Sequence, residues 1–127
     1  MNETKLAGNP LANFTPISQP VTELQSTDTV VGTGQEAQAG ANVTVDYTGA
    51  LVASGVVFES SLDSGRPATF GLNQVIEGWQ KGVPGMKVGG TRRLVIPAAQ
   101  AYGSSSPSSS IPANSDLVFD ITLKSVN

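Results

Sequence analysis

The chain has 127 residues, a net charge of −3 and only 13% charged residues, where a soluble domain usually carries about 25%; the length fits one domain rather than two. It holds no Cys and no His, which excludes disulfides, Ser-His-Asp and Cys-His catalysis, and His- or Cys-ligated zinc. The acidic balance argues against a nucleic-acid partner, and no apolar run approaches the ~18 residues of a membrane span.

Residues 1–20 read as a flexible tail or linker ahead of a domain over residues 21–127. Pro10, Pro16 and Pro20 break any periodicity, and Asn, Thr and Gln fill the gaps. The segment reads as a plain linker, or as the stretch left behind once a signal or lipid anchor is removed; the latter would fit an exported bacterial protein. Short strand candidates come next, at Val21–Leu24 and Asp28–Val31. Asn42–Thr48 is a stronger one, with Val43, Val45 and Tyr47 on one face and Thr44, Asp46 and Thr48 on the other. Val56–Phe58 and Ala68–Leu72 are further candidates. Thr91–Ile96 is closed by Pro97. The last strand, Asp116–Val126, puts Leu117, Phe119, Ile121 and Leu123 on one face.

One segment leaves the period of two. Val75, Ile76, Trp79 and Val83 sit at helical spacing, which predicts a helix over 73–83 with Asn73 as N-cap and Gly82 and Pro84 as its stop. The expected fold is α+β, with one short helix lying across a face of an antiparallel sheet that curls around it. Two motifs are discounted. Gly32-Thr-Gly34-Gln-Glu-Ala37 matches a dinucleotide fingerprint but leads into a strand, not a helix. Asn42-Val-Thr44 matches a glycosylation sequon inside a predicted strand.

The chemistry left to such a chain lies in its large apolar side chains. Tyr47, Phe58, Phe70, Trp79, Tyr102 and Phe119 are most of its aromatics. Phe70 reads equally well as core. Trp79, the single Trp, lies between Gly78 and Gly82, and reads as core or as the floor of a ligand pocket, with Gly78 clearing space beside the indole.

An ordered set of motifs runs through the chain: Val45-Asp-Tyr-Thr-Gly49, Phe58-Glu-Ser-Ser61, Val75-Ile-Glu-Gly-Trp79, Gly85-Met-Lys-Val-Gly-Gly90, Arg93-Leu-Val-Ile-Pro97, Ala101-Tyr-Gly103, Ile111-Pro112 and Leu117-Val-Phe-Asp120. In order and spacing this set resembles the FKBP-type peptidyl-prolyl isomerases, over roughly residues 21–127. The resemblance implies a five- to six-stranded antiparallel half-barrel wrapped around one short α-helix. It implies a catalytic set of Tyr47, Phe58, Glu59, Ile76, Trp79, Tyr102 and Phe119, with Val75, Phe70 and Ile111 binding substrate. Trp79 would be the pocket floor, and the Ile76 N–H and Tyr102 hydroxyl would donate to ligand carbonyls. Partners would be proline-containing peptides, unfolded proteins and the macrolides tacrolimus and rapamycin, taken up by a monomer without cofactor or metal.

Several positions depart from the family pattern. Glu59 replaces the usual Asp. Ser64 occupies the place of a basic partner, with Arg66 two residues later. Ala68 replaces a common aromatic, which predicts a more open wall. The loop Ser104–Ser110 is serine-rich, and Gly65, Gly85, Gly89 and Gly90 read as turn residues. Two readings of function compete: an active prolyl isomerase, and a module that binds prolyl peptides or macrolides but turns over slowly. An unrelated small β-barrel would require the motif order to be chance.

Overall fold

The computed structural model describes residues 7–106 and 110–126. Six strands form one antiparallel sheet: β1 Gln25–Val30, β2 Asn42–Leu51, β3 Val57–Ser60, β4 Ala68–Gly71, β5 Thr91–Ile96 and β6 Leu117–Val126. The order across the sheet is β1-β5-β6-β2-β3, and β4 also pairs with β2. The sheet is not closed, and one short helix, α1 Glu77–Gly82, lies against it. Among the described residues no helix is long and apolar enough to cross a membrane.

Alternation explains the concave face. Val43 and Val45 of β2, Leu94 and Ile96 of β5, and Leu117, Phe119, Ile121 and Leu123 of β6 enter one buried cluster with Trp79 and Val83. A Cβ added at Gly78 would come within 2.6 Å of Ile96, and one at Gly82 within 2.7 Å of Leu94. Both glycines therefore let the helix backbone settle directly on β5. Gly78 clears space for the sheet and not beside the indole, which corrects the sequence reading. Arg92 closes the far end of α1, with Nη1 donating to the Gly82 carbonyl at 2.7 Å while Nε donates to Asp28 on β1 at 2.6 Å.

The helix is shorter than its apolar spacing predicts. Gln74 N–H donates to the Gly71 carbonyl, closing a turn after β4. Ile76 is the N-cap, with ψ at 153° and no side-chain cap bond, so Asn73 does not cap the helix. Val75 and Ile76 hold helical spacing in the sequence but lie in the approach to it. Val21–Leu24 forms no strand, and β1 starts at Gln25. Gly32 serves a close approach of two loops: a Cβ added there would collide with the Lys87 carbonyl oxygen. That contact, with the bridge between Glu36 and Lys87, accounts for the Gly32–Ala37 motif without a nucleotide. Gly65, Gly85 and Gly89 have positive φ, as turn glycines do; Gly90 instead packs its backbone against Gly32.

The outer face of the sheet is covered by the segment expected to be an undocked tail. Residues 1–6 and the centre of the serine-rich loop, 107–109, lie outside the described residues. From residue 7 the chain packs onto β2 and β3. Gly8 N–H donates to the Val57 carbonyl, Val57 N–H to Asn9, Leu11 N–H to Gly55, and Ile17 N–H to Val52. Leu11 is buried with Ala50, Val52, Val57 and Val118, and Phe14 packs beside them. Arg93 holds the segment from the sheet: it pairs with Asp120 at 2.6 and 2.7 Å, donates to the carbonyls of Ala12 and Asn13, and lies over the Phe14 ring. Three prolines stop periodic structure, yet they leave Leu11 and Phe14 free to bury; composition alone misses that.

Leu11→Ala is expected to lower the free energy of unfolding by roughly 2–3 kcal/mol, as a buried leucine truncation does. Denaturant titration of the parent and variant checks it. An unchanged midpoint would mean that the segment does not hold this position in solution.

Candidate active site

The concave face leaves an open cavity of about 310 Å³ between α1 and the sheet. β2 brings Tyr47 to it, β3 brings Phe58 and Glu59, β4 brings Phe70, and β6 brings Phe119. The loop before α1 supplies Gln74, Val75 and Ile76, the helix supplies Trp79, and the turn after β5 supplies Tyr102. Nine of the ten positions singled out in the sequence therefore converge. The tenth, Ile111, is buried in the core cluster and is not one of the residues that line the cavity. Gln74 was missed; its one signal is that it directly precedes Val75 and Ile76. Ala68 pairs with Val45 in the sheet and is not a lining residue.

Trp79 is the centre of the ring cluster. Its ring lies 5.6 Å from Tyr47, 5.3 Å from Phe70 and 5.4 Å from Phe119, each edge-to-face. Phe58 meets Phe119 in the same way at 5.8 Å. Such pairs contribute roughly 0.5–1.5 kcal/mol each beyond burial, so the floor is rigid. Phe70 both packs on the core and lines the cavity, as its double reading anticipated. Gly49 makes the Phe58–Phe119 contact possible, since a Cβ there would stand 2.6 Å from Phe119 and 2.7 Å from Phe58.

A serine pair fixes the β2–β3 wall. Ser61 Oγ accepts the Tyr47 N–H at 2.9 Å and donates to Asp46 Oδ1 at 3.1 Å. Ser60 Oγ donates to the Tyr47 carbonyl at 3.1 Å and accepts the Leu62 N–H, capping the 3-10 turn Ser61–Asp63. Both backbone groups of Tyr47 are thus tied to the two residues just after Glu59.

Two N–H groups of residues that line this space lack an acceptor among the described residues. The Ile76 carbonyl accepts from Trp79 and Gln80, while the Ile76 N–H has no acceptor among the described residues. The buried indole Nε1–H of Trp79 also lacks one. The Tyr47 hydroxyl bonds to the Glu59 carboxylate. Burial first, then that bond and the carboxylate charge, push the Tyr47 phenol well above its ordinary value. Burial and the Glu59 charge also raise Tyr102. Both phenols therefore keep their protons to a higher pH than a free tyrosine does.

The family model for FKBP-type peptidyl-prolyl cis-trans isomerase matches residues 33–124. The chain belongs to this family. It is 47% identical over 93 residues to peptidyl-prolyl cis-trans isomerase FPR2 of Saccharomyces cerevisiae, covering 72% of this chain and 69% of that one. It is 44% identical over 97 residues to an FK506-binding protein of Neisseria meningitidis, covering 75% and 88%. The crystal structure of FkpA from Escherichia coli superposes with a TM-score of 0.75 at 38% identity, over 82% of this chain and 48% of that one. Some relatives are much longer: the chain spans 28% of the Dictyostelium discoideum FK506-binding protein 4, at 48% identity over 102 residues. The matched range begins at residue 33, so the segment that covers the outer face lies outside it.

The raised phenols have a consequence in base. Their ordinary value is 10.0. Above that pH the unfolded chain loses these protons while the folded chain keeps them, so the unfolded state binds fewer protons and stability falls as pH rises. Below pH 10 the contribution is fully present. Unfolding free energy measured from pH 8 to 11.5 is expected to decline above 10, and Tyr47→Phe to flatten the decline. An equal slope in the variant would remove Tyr47 as its source.

Proposed function

We propose that the protein catalyses cis-trans isomerisation of X-Pro bonds in peptides and incompletely folded proteins, and binds tacrolimus-type macrolides in the same pocket. The observation that carries this reading is the Trp79-floored aromatic cavity in a chain of the FKBP-type family. Rotation about an X-Pro amide crosses a barrier of ~18–20 kcal/mol because twisting destroys amide resonance. The twisted amide has less charge separation than the planar one, so transfer from water to an apolar pocket favours it. Trp79 supports the prolyl ring, while Tyr47, Phe58, Phe70 and Phe119 enclose it. The Ile76 N–H and Tyr102 hydroxyl donate to substrate carbonyls and fix the chain on either side of the turning bond. Glu59 orients the Tyr47 hydroxyl. No nucleophile or proton transfer is required, which suits a chain without His or Cys. The domain works as one unit over residues 21–127, with residues 7–20 as its outer cover.

The departure at Glu59, which lines the cavity, favours a second reading, a slow binding module. A protease-coupled assay on a short X-Pro peptide separates the two, because a binding module gives occupancy without turnover. In that assay Phe58→Ala is expected to cost more than Tyr102→Phe. Loss of the ring removes burial and shape, roughly 2–3 kcal/mol of transition-state binding. Loss of one hydroxyl costs roughly 0.5–1.5 kcal/mol, up to about tenfold in kcat/KM. The reverse order would make a directed hydrogen bond the main contribution and apolar enclosure the lesser one.

Macrolide binding has its own readout. Trp79 is the single Trp, so tacrolimus is expected to change the fluorescence saturably at one equivalent. Calorimetric binding with unchanged fluorescence would take Trp79 out of the contact.

A further inference from the structure

Tyr102 is carried by a turn and not by a strand or helix. β5 ends at Ile96, a 3-10 turn covers Ala98–Gln100, and Tyr102 comes two residues later. The N-cap of that turn, Pro97, offers no side-chain bond. Asp116 supplies one from across the chain: its Oδ1 accepts the Ala98 N–H at 2.9 Å. The Ala98 carbonyl in turn accepts the N–H groups of Ala101 at 2.9 Å and Gly103 at 2.8 Å, the two residues that bracket Tyr102. The Gly103 carbonyl accepts the Asn114 N–H at 2.7 Å, returning the loop to the approach to Asp116. The other carboxylate oxygen, Oδ2, accepts the Val21 N–H at 2.8 Å. Two N–H groups from distant segments thus hold one carboxylate at the start of β6, three residues before Phe119.

We infer that Asp116 is a positioning residue for Tyr102: it anchors Ala98, and Ala98 sets the turn that aims the Tyr102 hydroxyl into the cavity. Hydrogen bonds to a charged acceptor are about twice as strong as neutral ones, so one carboxylate suffices to fix a turn without a side-chain cap of its own. Through Oδ2 the same residue ties that turn to the end of the segment covering the outer face. The inference rests on the proposed role of Tyr102 as a donor to substrate.

A double-mutant cycle tests it, with kcat/KM from the protease-coupled assay and melting temperature measured for every variant. Asp116→Ala is expected to lower kcat/KM roughly threefold to tenfold when Tyr102 is present, and by less than about 1.5-fold in a Tyr102→Phe background. A purely structural role would give the same loss in both. Asp116→Asn leaves one carbonyl oxygen for two N–H groups; it is expected to lose about twofold to threefold, vanishing in the same background, and carries the cycle if the alanine variant does not fold. Equal losses in both backgrounds, or no loss in either variant, overturn the inference. If Tyr102→Phe alone matches the parent, the reading of Tyr102 fails and the inference fails with it; additive losses beside a costly Tyr102→Phe overturn the inference alone.

Discussion

Six helical residues have to close the concave face of a six-stranded sheet. They can do so because Gly78 and Gly82 let the backbone of α1 rest on Ile96 and Leu94 with no side chain between. The close seat has two effects. It buries Val83 and one face of Trp79 against the sheet, which completes the core. It also leaves Trp79 in two places at once, part of the core cluster and part of the cavity lining.

The other face of the sheet obeys a different rule. β2 and β6 alternate toward the core, yet Ala50, Val52 and Val118 on the opposite side are also buried. Exposed, such a patch would favour association. The segment from residue 7 covers it with Leu11 and Phe14, while Arg93 meets the segment's carbonyls and ring and is itself held by Asp120. Arg93 and its neighbour Arg92 point to opposite faces of β5. One clamps the outer segment and the other the end of α1 and the edge strand. Adjacent residues of a strand thus fasten both layers to the sheet.

What could be read from the sequence tracks how local the determining interaction is. β5 was legible to the residue because Pro97 closes the short run Thr91–Ile96. β6 was legible because Leu117, Phe119, Ile121 and Leu123 hold one face over four periods. The helix start was not, because Val75 and Ile76 share helical spacing with Trp79, while the turn closed by Gln74 and Gly71 overrides that periodicity. Eight cavity-lining positions lie in the ordered motifs and Phe70 was read from its ring alone, whereas Ile111, also in a motif, sits in the core: apolar character alone does not say whether a loop residue faces core or cavity. The docking of residues 7–20 depends on Arg93, some 80 positions away, and long-range pairing of that kind leaves no local signature.

On the proposed function, the site joins two requirements that oppose each other. Enclosure by rings favours an amide that has lost its charge separation, whereas a peptide entering the cavity must leave water with its carbonyls unpaired, at about 1–3 kcal/mol for each one left without a donor. The architecture meets the second need with neutral donors. Ile76 stands at the helix N-cap, where an N–H is left over by the geometry of helix initiation. Tyr102 offers a phenol hydroxyl, neutral as any phenol is below pH 10 and raised further by partial burial and the Glu59 charge. Among the described residues that line the cavity Glu59 alone is charged, and it neighbours the Tyr47 phenol. In that proposal, neutral donors at the margin and rings at the centre would let a substrate keep its hydrogen bonds while its prolyl amide turns in an apolar space. This division asks for a backbone N–H, a phenol and a cluster of aromatic rings, which a chain with few charges and no histidine can supply.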